Sequence, residues 1–182
     1  GISPVVLGQY LLPNTIFLRL SDVAAWLPPY EERVVSLAMT DDQAEQYTQL
    51  AADLKAEVTA ALRRGNSRLL STYLQALLSY PDAATFRPER IPDPADASII
   101  IAKADCVPGP LPKETALIDL VNQAKARGRR VLVYCTHTGV RDLTAHLKRL
   151  LEAAGLRVGI LSDHTTTAER REAWVTERVA AD

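Results

Sequence analysis

Apolar residues recur at intervals of three and four along much of this chain, which is the pattern of amphipathic helices. The longest such pattern predicts a helix over about 41–64. Thr40, followed by Gln43 three residues later, predicts its start as a capping box, and Gly65 predicts its end. A second helix is predicted over about 68–79.

Five strands are predicted. Alternation of apolar and polar residues indicates those at 15–20 and 32–39, and short apolar runs indicate those at 98–102, 131–134 and 158–161. The last two flank a helix that carries Leu143 and Leu147 on one face and ends at Gly155. Two apolar strands joined by a helix predict a parallel pair with a right-handed crossover. Further helices are predicted over 113–127 and 168–179.

These elements predict the fold class α/β and a division into two parts. Residues 1–112 are predicted to form an α-rich lead-in segment, and residues 113–182 the first half of a parallel sheet with flanking helices. Between them, residues 81–97 contain four prolines and several charges, which indicates an extended loop and a candidate linker.

Composition sets limits on the class of protein without identifying it. The 182 residues are 47% hydrophobic and 24% charged with a formal net charge of -1, so no overall basic field indicates a polyanionic partner. Only two cysteines are present, which favours a reducing, cytoplasmic location. No apolar run is long enough for a membrane span, so no membrane partner is expected. The chain starts with Gly1 and has no strand after its last helix, and we expect it to be a fragment.

Cys135 and Arg141 are spaced as in a phosphate-binding catalytic loop, between a predicted strand and a predicted helix. A thiolate at a helix N-terminus is a nucleophile, and an arginine beside it binds an oxyanion through two N–H groups. The stretch VLVYCTHTGVRD therefore resembles rhodaneses and cysteine phosphatases. An enzyme using Cys135 and Arg141 is one hypothesis, and a small packing cysteine at a strand end is the alternative.

Hydroxyl-bearing turns follow both strands of the β-α-β unit, at Thr136–Thr138 and at Thr165–Thr167. Because ligands bind beyond the carboxyl ends of parallel strands, both turns are expected at one edge of the sheet. Helix starts with free N–H groups and hydroxyls bind anions, including the phosphates of nucleic acid. Helix capping alone is the competing explanation, and Thr166 with Glu169 fits a capping box.

Three smaller features have weaker implications. A metal site built from Cys135, His137 and His164 lacks the close ligand spacing of known sites, so no metal is predicted. His146 is expected on the surface in mid-helix. A basic cluster precedes the strand at 131–134; it consists of Lys125, Arg127, Arg129 and Arg130. It is expected to be a solvated face, since strand starts lie at the sheet edge opposite the turns, and contact with nucleic acid is the alternative.

Several segments in order resemble the Snf-type ATPases of helicase superfamily 2. The Leu-Pro-Pro turn at 27–29, the strand ERVVSLAM and a helix with Gln43 and Tyr47 are similar to the segment that opens the second motor lobe of that family. KETALIDL resembles the helix before the second RecA-like domain, and RRVLVYCTHTGVRDLTAHL resembles helicase motif IV. LRVGILSDHTTTAERREAW is similar to the segment that follows.

The resemblance implies a partial RecA-like parallel sheet and a role in an ATP-dependent helicase or translocase. It implies nucleic acid as a partner, DNA in preference to RNA, together with an N-terminal motor lobe. ATP and Mg²⁺ would serve the full-length enzyme, while the fragment itself, which has no Walker A loop, is expected to bind neither and to be inactive. Backbone contacts are predicted for Thr136, His137, Thr138, Arg141, Thr165, Thr166 and Arg170.

Overall fold

The computed structural model describes residues 5, 7–11, 31–137, 139–162 and 166–180. The chain divides into two compact units, residues 1–36 and 37–182. The described part of the first unit contains a π-helical turn at Leu7–Leu11. The strand predicted at 15–20 and the Leu-Pro-Pro turn at 27–29 lie outside the described residues.

The second unit contains helices and one small sheet. Its elements, in chain order, are α1 (Asp41–Arg63), α2 (Arg68–Ala83), β1 (Glu89–Pro92), β2 (Ile100–Ala104), α3 (Pro112–Ala126), α4 (Thr144–Ala153) and α5 (Arg171–Ala180). Short 3₁₀ turns at Gly139–Arg141 and Ala168–Arg170 precede α4 and α5. All five predicted helices in this unit are therefore confirmed, with ends that differ from the prediction by a few residues.

Helices α1 and α2 pack against each other, and a buried glutamine joins them. The Gln43 backbone N–H donates to Thr40 Oγ1 at 3.2 Å, which confirms the predicted cap. The Gln43 side chain does not return to Thr40 but donates to the Pro81 carbonyl at 3.0 Å. Because Pro81 lies in the last turn of α2, this contact joins the start of α1 to the end of α2.

Glycine ends three of the helices, as the sequence predicts. Gly65, Gly128 and Gly155 follow α1, α3 and α4, each with a positive φ, between 66° and 77°. Side chains with a Cβ adopt this left-handed conformation at a cost, so glycine is favoured at the position that ends a helix.

The sheet consists of two antiparallel strands, and it corrects the prediction of a linker at 81–97. Glu89 pairs with Ala104 and Ile91 with Ala102, and the register shifts at Pro92. Pro92 lacks an N–H group, but β1 is an edge strand, where proline is tolerated. The predicted linker thus contains the end of α2, a turn and β1, while the strand predicted at 98–102 is found two residues later.

The hydrophobic core lies between α1, α2 and the sheet. Its buried members are Leu50, Leu54, Ala76, Tyr80, Ala84, Ile91, Ala102, Ala104, Val107 and Leu111. Tyr80 is fully buried, and its hydroxyl donates to the Asp105 carbonyl at 2.8 Å. Burial, together with the nearby Cys106 and Asp105, raises the pKa of Tyr80 to about 12. The core thus belongs almost entirely to residues that precede α3.

Three predicted strands are not found, and the parallel sheet that they imply is not formed by the described residues. Residues 32–39, 131–134 and 158–161 lie outside helices and strands. Four consecutive apolar residues favour a strand, but backbone N–H and C=O groups need a neighbouring strand to form a ladder. The observed class is therefore mixed helix with a small antiparallel sheet, so the prediction of α/β is confirmed only in its coarse form.

Helix α3 buries little of the apolar face predicted for it. Leu117 is half-buried and Leu120 is exposed, and Glu114 is its one buried side chain. In α4 and just beyond it, Leu151 and Leu156 are buried. The domain boundary predicted between residues 112 and 113 stays a prediction. Within the described ranges, no helix is long and apolar enough to cross a membrane.

Candidate functional site

The predicted motif IV turn lies beside a cleft of about 240 Å³. Cys135, Thr136 and His137 line this cleft. Its other lining residues come from the end of α2, from the start of α3 and the residue before it, from the apolar segment before the turn, and from the start of α4 and the residue before it; they are Asp82, Leu111, Lys113, Glu114, Leu117, Val133, Tyr134, Leu143 and Leu147. Thr136 is exposed, while Cys135 and His137 are half-buried. The cleft thus combines an apolar wall with a hydroxyl and an imidazole, both of which form hydrogen bonds with anions or amides. Its three charged side chains are already paired, Lys113 with Asp82 and Glu114 with His146.

Arg141 is held by a buried carboxylate that the sequence did not indicate as part of a site. Its Nη2 lies 3.1 Å from Glu89 Oε2 and its Nε 3.4 Å from Glu89 Oε1, while Nη1 donates to Gln75 Oε1 at 3.2 Å. Ser79 Oγ also donates to Glu89, at 3.3 Å, and Arg87 Nη2 lies 3.9 Å away from it. The side chain of Glu89 is 7% exposed and that of Arg141 23%. Glu89 therefore offsets the charge of Arg141.

His146 is half-buried in a second polar cluster, around the buried Glu114, so the prediction that it is a surface residue is wrong. Its Nε2 lies 2.6 Å from Glu114 Oε1, and its ring stacks on Phe86 with centroids 4.1 Å apart. Glu114 also accepts hydrogen bonds from Thr85 Oγ1 at 3.1 Å and from the Leu111 N–H at 2.8 Å. These contacts join α3, α4 and the turn after α2.

Both predicted turns are described only in part. Thr138 of the first turn and Thr165 of the second lie outside the described residues. Thr166 is half-buried, and Arg170 is exposed in the 3₁₀ turn before α5. The predicted capping box of Thr166 and Glu169 is wrong, because Thr167 is the residue that precedes the 3₁₀ turn. The Thr166 N–H donates to the Ser162 carbonyl at 3.1 Å, and its hydroxyl donates to the Thr167 carbonyl at 3.5 Å. A backbone N–H and the Thr167 hydroxyl hold the pKa of Glu169 below its usual value.

No hydrogen bond or ion pair joins Thr136 or His137 to Thr166 or Arg170 within the described ranges. Because the parallel strands expected to align the turns are absent from the described chain, the sheet edge on which the prediction depended is absent as well. That both turns contact the same phosphate backbone stays a prediction.

The environment of Cys135 favours the thiol over the thiolate. Burial and the nearby carboxylates of Asp142 and Asp82 raise the pKa of Cys135. A nucleophilic cysteine needs the opposite shift, produced by cations or a helix N-terminus. Arg141, the cation expected to assist it, is paired with Glu89. The described geometry thus supplies neither the reactive thiolate nor the unpaired arginine that such an enzyme would use.

We expect Cys135 to react slowly with iodoacetamide at neutral pH, and more slowly than the exposed Cys106. The thiolate is the reacting species, so a raised pKa lowers its fraction at pH 7 and moves the rise in rate to higher pH. Peptide mass spectrometry after timed labelling over pH 6–10 measures both cysteines in one sample. Rapid labelling of Cys135 at pH 7 would instead favour the phosphatase or rhodanese hypothesis.

Sequence reasoning missed Glu89, Glu114 and His146, which carry most of the buried polar contacts near the predicted site. One signal was available: Glu114 stands three residues after Leu111, at the position from which a glutamate caps the start of a helix. No comparable local signal marks Glu89 or His146, because their burial depends on elements distant in the sequence.

Comparisons with protein-family models, with curated proteins and with solved structures found no match to this chain. In the described part of the chain, no group of three or more His, Cys, Asp or Glu residues is arranged to hold a metal ion.

Proposed function

We propose that this chain is the start of the second, RecA-like motor lobe of a Snf-type superfamily 2 helicase or translocase. Its role is to contact the backbone of nucleic acid, DNA in preference to RNA. ATP and Mg²⁺ belong to the whole enzyme, in which an N-terminal lobe supplies the phosphate-binding loop. The order of the family-like segments along the sequence carries this proposal.

The positions of the helices support it. α1 begins at Asp41 and contains Gln43 and Tyr47, as the lobe-opening segment of the family requires. α3 contains KETALIDL, and α4 follows the turn that resembles motif IV. Each of these helices thus occurs where the resemblance expects one, although amphipathic helices alone are common to many folds.

The exposure of the motif IV strand segment is consistent with the same proposal. Val131–Tyr134 is an apolar run, yet Leu132 is 85% and Tyr134 84% exposed. Contiguous exposed apolar side chains usually mark a surface that another element covers. A strand of a parallel sheet is covered on both faces and paired at both edges. We infer that Val131–Tyr134 becomes such a strand within the complete motor.

Sequence-independent contact with phosphates is the chemistry that the motif IV turn suits best. The exposed hydroxyl of Thr136 donates a hydrogen bond to a phosphate oxygen, and His137 lies next to it at the cleft. Contacts of this kind do not distinguish bases, and cations that accompany them make binding sensitive to salt.

Two alternatives lead to different expectations. A rhodanese- or phosphatase-like enzyme would use Cys135 and Arg141, against which the raised pKa of Cys135 and the Arg141–Glu89 pair both count. A non-catalytic domain that binds phosphate or protein would need no ATPase partner. A gene that encodes a Walker A loop upstream and a Gln- and Arg-rich motif downstream would favour the helicase over both.

We expect Thr136→Val combined with His137→Ala to weaken binding of a fluorescein-labelled oligothymidylate by about tenfold. The substitutions remove two hydrogen bonds to phosphate, each worth about 1 kcal/mol or less. Fluorescence anisotropy of the whole chain at about 50 mM salt measures the dissociation constant. Thr59→Val is the control, because Thr59 is exposed on α1 and its hydroxyl donates to the Lys55 carbonyl.

The proposal predicts that the control binds like the wild type and that wild-type binding weakens as salt is raised. A wild-type chain that fails to bind the oligonucleotide at low salt would contradict the proposed function. Equal binding by the double variant and the wild type would exclude the turn as the contact.

A further inference from the structure

The segment 120–141 is positively charged and contains no acidic residue. Its five cations are Lys125, Arg127, Arg129, Arg130 and Arg141. Since the whole chain has a formal net charge of -1, the remaining positions sum to -6, from -1 minus +5. The near-neutral total therefore conceals one strongly basic segment in an acidic chain.

Four of the five cations lie in residues 125–130, the basic loop, whose backbone is fixed by the end of α3. The Gly128 N–H donates to the Lys125 carbonyl and the Arg129 N–H to the Ala124 carbonyl, both at 2.9 Å. This pair of hydrogen bonds defines a Schellman motif, which Gly128 completes with a φ of 66°. The basic loop thus presents its side chains from an ordered turn.

The cations of the basic loop are exposed, and three of them have no partner among the described residues. Lys125, Arg127 and Arg129 make no side-chain hydrogen bond or ion pair with any described residue. Elsewhere, Arg90 pairs with Asp105 and Arg141 with Glu89. Lys125, Arg127 and Arg129 therefore take no part in the ion pairs that stabilise the described fold.

Favourable interaction with the α3 dipole does not account for all the positive charges of the basic loop. That interaction favours cations in the last turn of a helix, which describes Lys125. Arg129 and Arg130 lie beyond the end of the helix, where the effect falls off. If Val131–Tyr134 becomes a strand in the complete motor, its four residues separate the basic loop from the motif IV turn by about 13 Å, a distance that a short oligonucleotide spans.

We propose that the basic loop is a second contact for the phosphate backbone of nucleic acid, in addition to the motif IV turn. This proposal rests on the proposed function, whose partner it extends. Arginine predominates in the loop, and its planar guanidinium matches phosphate oxygens through two N–H groups. From Arg130 to Thr136 the chain spans at most about 21 Å. One oligonucleotide is therefore long enough to contact both places.

The test compares two triple variants of the whole chain that remove the same charge. Lys125→Gln, Arg127→Gln and Arg129→Gln alter the basic loop. The control alters Arg63, Arg64 and Arg68, exposed arginines around the end of α1, to glutamine. Anisotropy with labelled oligothymidylate between about 50 and 300 mM salt gives the dissociation constant and its salt slope. Circular dichroism melting verifies that both variants fold.

We expect the basic-loop variant to bind at least about tenfold more weakly at low salt. Its slope of log K against log salt should fall by about 2, since each lost phosphate contact on a single strand contributes about 0.7. The control should stay within about threefold of the wild type. Equal loss in both variants would show a general charge effect and overturn the proposal.

Two further outcomes separate this inference from the function on which it rests. If the Thr136 and His137 variant loses binding while the basic-loop variant binds like the wild type, the inference fails and the proposed function stands. If the wild type binds no oligonucleotide, both fail. Vesicles with about 30% phosphatidylserine are the competing probe; tighter binding to them than to the oligonucleotide, lost in the basic-loop variant, would assign the loop to a membrane and overturn the inference.

Discussion

Replacing Arg141 with alanine is expected to lower the free energy of unfolding by about 3 kcal/mol. The substitution leaves the Glu89 carboxylate, which is 7% exposed, without its closest cation. Breaking a buried ion pair by removing one partner costs about 3–5 kcal/mol, because the remaining charge is poorly solvated. We expect the lower end of this range, since Arg141 is 23% exposed. Urea unfolding followed by circular dichroism measures the change.

Arg149→Ala is the matched control, because Arg149 is exposed on α4 and has no ion pair with a described residue. We expect it to change stability by less than about 0.5 kcal/mol. The double variant Arg141→Met with Glu89→Leu should recover part of the loss, since it removes both charges. A stable Arg141→Ala chain would mean that the pair contributes little to the fold and would leave Arg141 free to bind an anion.

Replacing Glu114 with alanine is expected to cost about 3 kcal/mol. This carboxylate accepts hydrogen bonds from Thr85 and from the Leu111 N–H, and it pairs with His146. Its loss leaves three polar groups without an acceptor, and each unsatisfied buried group costs about 1–3 kcal/mol. Water that reaches part of this cluster solvates these groups and reduces the total cost to the free energy of unfolding. Thermal or urea unfolding of the variant gives the value.

Glu152→Ala serves as the comparison, because Glu152 pairs with Lys148 on the surface of α4. An exposed pair of this kind contributes about 0.5 kcal/mol or less. The stability lost in Glu114→Gln should lie between the losses of the two alanine variants, since glutamine keeps one carbonyl oxygen as an acceptor. If Glu114→Ala and Glu152→Ala lose similar amounts of stability, the contacts of Glu114 do not stabilise the fold as proposed.

Much of the helical structure follows from local patterns. Thr40 and Gln43 mark the start of α1, and Gly128 and Gly155 mark the ends of α3 and α4. These signals act over a few residues, because capping and the left-handed glycine turn involve only the neighbouring backbone. The sequence therefore predicted where helices begin and end without knowledge of what surrounds them.

The strands and the site depended on partners far away in sequence. Val131–Tyr134 has the composition of a strand, yet no described segment pairs with it. Conversely, Glu89 lies in a proline-rich stretch that reads as a loop, and it forms β1 because residue 104 lies opposite. For the site, the sequence predicted Thr136 and His137 at a turn, and the structure places both at a cleft.

By itself, the sequence determined the helices, their caps and the concentration of positive charge in residues 120–141, since these depend on residue type and short-range spacing. The tertiary structure alone decided that Arg141 pairs with Glu89 and that the half-buried His146 pairs with the buried Glu114. Burial and ion pairing join residues that are 52 and 32 positions apart, so no local pattern specifies them. These two contacts therefore show which of the polar side chains near the predicted site help to stabilise the fold.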